Sequence, residues 1–279
     1  MSQRRVAALI GSPVEHSLSP VIHQAAFDAA GVDWTYAAFE VAPGGAGEAI
    51  AAMRVLGIVG LSVTMPHKHD VAAAVDRLDP AAEALRSVNT VSWHDDELVG
   101  SSTDGAGFVS SLASDGVEVA GAAVAVIGAG GAARSIIDEL GRVGAASIRV
   151  INRTPERAVS ACELAAVAAV GSSDDIADAH IVVNASSVGM GVDPTTAMAD
   201  DLPCDPSLLN AAQVVVDLVY HPLQTAWLLQ AEGAGARTID GLGMLIHQAA
   251  LQQQVWLGQV PDVGVMRRAA EVALADRQP

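Results

Sequence analysis

Aromatic residues make up only 3% of this 279-residue chain, cysteines number two, and Lys plus Arg total 15 against 32 acidic residues. Each scarcity closes off a class of protein. With so few aromatics the core has to be assembled from Ala, Val, Leu and Ile, and a hydrophobic content of 51% supplies them. Cys162 and Cys204 alone make no disulfide framework, and such sparse use points to a reducing, cytoplasmic setting. A net charge of −17 argues against nucleic acid or an anionic membrane as partner and repels acidic substrates at long range. Any anion site must therefore be made locally. No run of 18 apolar residues is present to cross a bilayer. Arg4-Arg5 before the apolar run 6–10 has a faint likeness to a secretion signal, but the run is too short for one and reads better as a first strand. His67 and His69 form an H-x-H pair with no acid or cysteine set to join them, and H-E-x-x-H is missing, so no metal is expected. The G-x-S-x-G elbow of serine hydrolases is missing too.

What the chain does have is concentrated in residues 122–134, AAVAVIGAGGAAR. Val124, Val126 and Ile127 form a short strand-like run, and Gly128-Ala129-Gly130-Gly131-Ala132-Ala133 follows at once. Beyond it, Ile136, Ile137, Leu140 and Val143 recur at helical spacing over 134–144. Strand, glycine turn and helix give G-x-G-x-x-G/A its meaning: Gly128 for the tight turn, Gly130 for approach to a pyrophosphate, Ala133 for close packing of helix on strand. The phosphates would sit on the free N–H groups and positive dipole end of that helix.

The next strand, 147–151, sharpens the cofactor assignment. About 20 residues past the glycines an NAD-binding unit carries Asp or Glu for the ribose 2′-hydroxyl. Asn152-Arg153-Thr154 stands there instead, with Arg157 one turn on. Arg153 can fork onto a 2′-phosphate and Arg157 can add a second charge, which favours NADP. Two solvated arginines, or one tethered by Glu156 between them, is the plainer alternative.

Strands expected at 6–10, 34–41 and 58–63 alternate with helices at 20–31 and 44–56, which indicates a partly parallel α/β sheet. Ser19 before Pro20 reads as a helix cap. Capping accounts for Ser19 and leaves Ser17 unexplained, so both hydroxyls are candidates to point off a strand's edge. Thr64 and Lys68 fall just past the third strand, where ligands bind in such sheets. Alone, Lys68 would be a surface lysine at a helix start. Helical pieces at 71–75 and 80–85, the turn around Asn89, a hairpin through Asp95-Asp96, and Asp104 capping a helix over 105–112 complete this half. Lys68, Asn89 and Asp104 all fall at element junctions of one small sheet, a recurrence that suggests a shared site. The nucleotide unit then spans about 121–240, with a helix at 155–167, strands at 179–183 and 214–219, and helices from about 240 and over 263–275 after it.

In this order, GSPVEHSLSP, SVTMPHK, SVNT, STDGAGF, GAGGAAR with NRT, NASSVGM, DLVYHP and DGLGMLIHQA resemble the motifs of the shikimate dehydrogenase family over nearly the whole length. The resemblance implies an N-terminal mixed α/β substrate domain (1–104), a Rossmann-like NADP-binding domain (105–240) and C-terminal helices (241–279) packing back on the first domain, with the site in the cleft between domains. It implies reversible reduction of 3-dehydroshikimate to shikimate by NADPH, with Lys68 and Asp104 as the catalytic pair. Ser17, Ser19, Thr64, Asn89, Tyr220 and Gln248 are implied as substrate contacts. Gly128, Ala129, Gly130, Gly131, Ala132, Asn152, Arg153, Thr154, Arg157, Ser186, Val219 and Gly241 are implied as cofactor contacts. Hydride arriving at a carbonyl leaves an alkoxide that needs a proton, a requirement Lys68 can meet with Asp104 orienting it.

Two positions depart from the family, which commonly has Asn where Ser62 and Ser102 stand. Each swap shortens the side chain and removes an amide, which leaves substrate preference open between shikimate, quinate and aminoshikimate. A methylenetetrahydrofolate dehydrogenase fits the S-x-S loop poorly. Loss of Lys68 or Asp104 would have supported an NADP-sensing regulator, the alternative from another class, and both are present. A small-molecule partner is expected, with a homodimer compatible with the rest.

Overall fold

Short runs of Val, Ile, Leu and Ala alternate with helix formers from end to end, and the computed structural model, which describes residues 5–276, arranges them as two six-stranded sheets. Arg4 of the Arg4-Arg5 pair lies outside the described residues. One compact unit takes in the chain up to Gly107 and again from Ile246; the other is Phe108–Leu245.

The first unit runs β1 (Arg5–Gly11), α1 (Ser19–Ala29), β2 (Trp34–Glu40), α2 (Ala46–Leu56), β3 (Gly60–Val63), α3 (Lys68–Ala74), β4 (Arg77–Leu78), α4 (Pro80–Leu85), β5 (Thr90–His94), β6 (Glu97–Ser101) and the start of α5 (Asp104–Ser114). Its sheet has the order β2-β1-β3-β5-β6-β4. β1 is parallel to β2 and β3, and β5 is antiparallel to β3 and β6. The register sets Ile10 beside Val63, Ser62 beside Thr90, and Thr90 beside Ser101. The ends of β1, β3 and β6 and the beginning of β5 therefore share one edge. β1 is covered on both faces: Ala8 and Ile10 pack with Ile50, Met53 and Val71, while Ala7 and Leu9 pack with Phe27, Trp34 and Tyr36. Burial on both faces explains why 6–10 is continuously apolar and not alternating.

The second unit runs β7 (Ala123–Ile127), α6 (Gly131–Arg142), β8 (Ser147–Ile151), α7 (Pro155–Cys162), β9 (Ala168–Val170), β10 (Ile181–Asn184), β11 (Val214–Asp217), α8 (Ala226–Gly233) and β12 (Arg237–Ile239). All its strands are parallel, in the order β12-β11-β10-β7-β8-β9, and the winding reverses between β7 and β10. That is the doubly wound arrangement, with a crevice at the switch point. α6 buries Ala133, Ile136, Ile137 and Leu140 against β7 and β8. Each such large aliphatic contributes roughly 1.5–3 kcal/mol on burial. α9 (Leu242–Leu257) and α10 (Val263–Ala275) end the chain. A mixed α/β unit and a Rossmann-like unit are the expected fold class.

Several elements differ from the sequence reading. The helix expected over 155–167 stops at Cys162, because Ala168 must reach β8 to pair beside Ile148. Pairing overrides the helix propensity of the Ala-rich tract. α3 opens at Lys68 and not at residue 71. α8 and the three-residue β12 were not expected; α8 is started by Thr225, whose hydroxyl accepts from the Leu228 N–H at 3.3 Å. No helix among the described residues is long and apolar enough to cross a membrane.

Candidate active site

The candidate substrate residues Ser17, Ser19, Thr64 and Asn89 gather at the shared edge of the first sheet, whereas Tyr220 belongs to the second unit. α1 begins at Ser19 with Leu18 in the cap position, so Ser19 is not the cap. Ser17 accepts from the Ser19 N–H at 3.2 Å instead. The expected roles are exchanged, and the buried Ser19 hydroxyl has no hydrogen-bond partner among the described residues. The Thr64 hydroxyl is likewise unspent, just past the end of β3.

Lys68, Asn89 and Asp104, separate in the chain, meet. Lys68 Nζ donates to Asp104 Oδ2 at 2.6 Å, with the two side chains 23% and 11% exposed. Asp104 is the first residue of α5 and not its cap. Its other oxygen, Oδ1, accepts from Asn89 Nδ2 at 2.7 Å. Asn89 is itself held on all sides: Oδ1 accepts from Thr103 N at 2.9 Å and Thr90 Oγ1 at 2.7 Å, and Nδ2 also reaches Thr103 Oγ1 at 2.9 Å and Gln248 Oε1 at 3.5 Å. Thr103 Oγ1 in turn donates to the Gln248 carbonyl at 3.1 Å, which brings Gln248 of α9 into the cluster. The result is a carboxylate with one oxygen on a cation and one on a rigid amide. Lys68 keeps further N–H donors for another oxygen.

Behind this cluster lies a polar relay that sequence reasoning missed. Tyr36 donates to Ser62 Oγ at 2.7 Å, Ser62 to Gln252 Oε1 at 2.7 Å, and Gln252 Nε2 to the Asn89 carbonyl at 3.1 Å. His23 is stacked on Tyr36 with ring centroids 4.3 Å apart and lies between two glutamines, Nε2 on Gln252 Oε1 at 3.2 Å and Nδ1 on Gln253 Nε2 at 3.2 Å. Gln252 Oε1 can only accept and Gln253 Nε2 can only donate, so His23 is neutral with its proton on Nε2. Burial pushes the His23 pKa down to about 3, and burial pushes the Tyr36 phenol up. Ser62, one of the two departures from the family pattern, is thus committed to the interior at 3% exposure. Its partner Gln252 stands four residues past Gln248 on one helix face, a spacing that could have been noticed. His67 is also buried, donating from Nε2 to the Val41 carbonyl at 2.7 Å, while His69 is exposed. Among the described residues no group of three or more His, Cys, Asp or Glu is arranged to hold a metal.

In the second unit the candidate cofactor residues leave the carboxyl ends of β7, β8, β10 and β11. Gly128 has φ +122°, and a Cβ there would lie 2.7 Å from the Ala185 carbonyl oxygen, so only glycine fits. A Cβ at Gly130 or Gly131 would meet nothing within 4 Å, and Gly130, in the cap position before α6, gives the helix no side-chain cap. Ala129 is buried and Ala132 half-buried beside them. Open space ahead of an uncapped helix start is what a phosphate group needs. Asn152 donates to the Thr154 carbonyl at 2.9 Å and so shapes the turn after β8. Arg153 and Arg157 are exposed without an ion-pair or hydrogen-bond partner among the described residues, and Glu156 tethers neither. These groups fit a dinucleotide carrying an extra phosphate.

After β10, Asn184 Oδ1 accepts from Ser186 Oγ at 2.6 Å and Ser186 N at 3.1 Å. After β11, Val219 N donates to Asp217 Oδ1 at 3.0 Å. Tyr220 follows, half-buried. Gly241 lies directly against the Leu218 and Val219 carbonyls, where any side chain would collide with backbone.

A parallel sheet in this order, with an open glycine turn at its switch point, defines the dinucleotide-binding class of α/β proteins. Three family models match the chain: the shikimate dehydrogenase substrate binding domain over residues 9–91, shikimate/quinate 5-dehydrogenase over 111–197, and the shikimate 5′-dehydrogenase C-terminal domain over 241–271. A shikimate dehydrogenase (NADP(+)) of Symbiobacterium thermophilum is 42% identical over 282 residues, covering 97% of this chain and 95% of its own. A crystal structure of a shikimate dehydrogenase in complex with NADP+ aligns with TM-score 0.90 at 35% identity, covering 97% and 96% of the two chains. The Thermus thermophilus shikimate 5-dehydrogenase, in complex with NADP(H) and shikimate, aligns with TM-score 0.88 at 33% identity, covering 96% and 99%. The chain belongs to the shikimate dehydrogenase family.

Proposed function

We propose that this chain is a cytoplasmic enzyme that interconverts 3-dehydroshikimate and shikimate with NADP as cofactor. The observation that carries the reading is the Lys68–Asp104 pair at 2.6 Å, clamped by Asn89 at the sheet edge where Ser19 and Thr64 keep unspent hydroxyls. Bound NADPH supplies the hydride that reduces the ketone carbon. Lys68 Nζ donates a hydrogen bond to the ketone oxygen and gives up a proton as that oxygen becomes an alkoxide, so the product is neutral at that position. Asp104 holds Lys68 in line and balances its charge before the transfer. Ser17, Ser19 and Thr64 bind the substrate carboxylate and a ring hydroxyl with neutral donors, while Asn89 and Gln248 orient the ring. Neutral donors suit a chain of net charge −17, since they bind an anion without a basic patch. In the second unit, the 130–132 turn takes the pyrophosphate and Arg153 with Arg157 takes the 2′-phosphate.

Initial rates on purified protein, with shikimate and quinate each against NADP+ and NAD+, test this directly. Turnover chiefly with shikimate and NADP+ is the expected result. A preference for quinate or NAD+ would redirect the substrate or cofactor assignment, and no turnover with NADPH still bound would favour a sensor.

A further inference from the structure

Asp217 is fully buried, and among the described residues it has no cationic partner. An unpaired carboxylate inside a protein is expensive unless every oxygen is satisfied. Here each one is. Oδ1 accepts from Asn184 Nδ2 at 2.8 Å and from Val219 N at 3.0 Å, and Oδ2 accepts from Thr225 Oγ1 at 2.8 Å. Those donors lie on two different loops. Asn184 organises the loop after β10: its Nδ2 also reaches the Val188 carbonyl at 3.1 Å and its Oδ1 holds Ser186. Val219 and Thr225 belong to the segment after β11, and Thr225 also starts α8. A further tie joins the same loops, Gly191 N donating to the His221 carbonyl at 2.8 Å. Both loops then touch the glycines that were singled out for nucleotide binding. The Ala185 carbonyl lies over Gly128, and the Leu218 and Val219 carbonyls lie on Gly241.

We propose that Asp217 is the positioning residue of the nucleotide unit, fixing the loops after β10 and β11 against each other so that their backbones and the glycine turn present one preformed surface to NADP(H). The inference rests on the proposed cofactor reading. A carboxylate suits this place because its two oxygens accept from three donors at once. Burial pushes the Asp217 carboxyl up, against the pull of those three hydrogen bonds.

The test uses the full chain with Asp217→Ala, Asp217→Asn and Thr225→Val. Two readouts are NADPH dissociation constants from fluorescence titration and amide hydrogen exchange without cofactor. Asp217→Ala is expected to weaken NADPH about tenfold or more, the scale of a buried donor left without its acceptor. Exchange should quicken at 185–190 and 218–225 while β7 stays protected. Asp217→Asn keeps an oxygen for Asn184 and Val219 and turns an N–H₂ toward Thr225, so it should restore affinity to within about threefold of wild type. If the alanine variant does not fold, Thr225→Val, which strips only Oδ2 of its donor, should shift both readouts in the same direction by a smaller amount. Wild-type NADPH affinity and unchanged loop exchange in Asp217→Ala or Thr225→Val overturn the inference. Exchange that rises equally in β7 also overturns it, because Asp217 would then support the unit as a whole. Wild-type protein that takes up no NADPH overturns the cofactor reading itself, whereas faster exchange confined to the two loops still upholds the tie.

Discussion

In the first unit a carboxylate meets a cation directly, Lys68 Nζ on Asp104 Oδ2 at 2.6 Å, whereas in the second the Asp217 carboxylate takes the neutral donors of Asn184, Val219 and Thr225. The first arrangement suits the proton transfer proposed for it, because the pair is accessible enough to exchange partners. The second belongs where nothing should move. Construction differs in the same way. The first unit assembles its cluster from side chains at 68, 89, 103, 104 and 248, and a long relay supports it from Tyr36 to the Asn89 carbonyl. The second relies on backbone: a glycine turn, an open helix start, and loops packed on glycine. Arg153 and Arg157, both exposed and without a partner among the described residues, supply positive charge near that turn.

Removing the cation should separate the two regions most sharply. Lys68→Ala is expected to lower kcat by about 10²–10⁴, the usual worth of a positioned acid, while NADPH titrates as in wild type. Near-normal turnover would take the chemistry away from the first unit. Next in size, Arg153→Ala with Arg157→Ala should raise the NADP+ KM about ten- to a hundredfold and leave the NAD+ KM nearly unchanged. An unaltered NADP+/NAD+ ratio would mean that the arginines are only solvated. A smaller effect is expected for Gln252→Met, which keeps the volume and cuts the relay. Its kcat should drop about three- to tenfold with NADPH affinity intact, and loss of affinity instead would show the relay to be general scaffolding.

The smallest effect is on stability and belongs to the first unit alone. Burial pushes His23 from its ordinary 6.5 down to about 3, so the unfolded chain binds a proton below 6.5 that the folded protein refuses. Its contribution is complete above pH 6.5 and drains as pH falls toward 3, at up to about 1.4 kcal/mol per pH unit. Hydrogen exchange of β1 and β2 should report about 1 kcal/mol less protection at pH 5 than at pH 6, a difference that His23→Gln removes. The second unit should lack this slope, since His23 belongs to the first. An equal slope in both units would assign it to other groups.

The second unit was the more legible from sequence. Its strand, glycine turn and helix are contiguous, and local periodicity carries their meaning; even so, β9 and β12 escaped, being three residues each and too short for a pattern to form. In the first unit, Lys68, Asn89 and Asp104 were visible as residues at junctions, but the reading of Ser19 and Asp104 as caps was wrong. A Ser or Asp near a helix start satisfies the pattern for capping whether or not its side chain is needed elsewhere. Here Ser17 and not Ser19 accepts at the start of α1, and Asp104 turns to Lys68 and Asn89. The buried glutamines of α9 looked like ordinary polar helix residues, and the one-turn spacing of Gln248 and Gln252 was their only signal.

By itself, then, the sequence determined the two α/β halves, the glycine turn, the arginines after β8, and the identities of the residues at the first sheet's edge. All of these depend on short-range periodicity or on the chemistry of single side chains. Only the tertiary structure decided which donor serves which acceptor: that Asn89 clamps Asp104, that Ser62 is spent on Gln252, and that Asp217 takes the donors of Asn184, Val219 and Thr225. Those pairings join positions up to 190 residues apart, and a buried polar group takes its partner from whatever the packing of distant elements brings within reach.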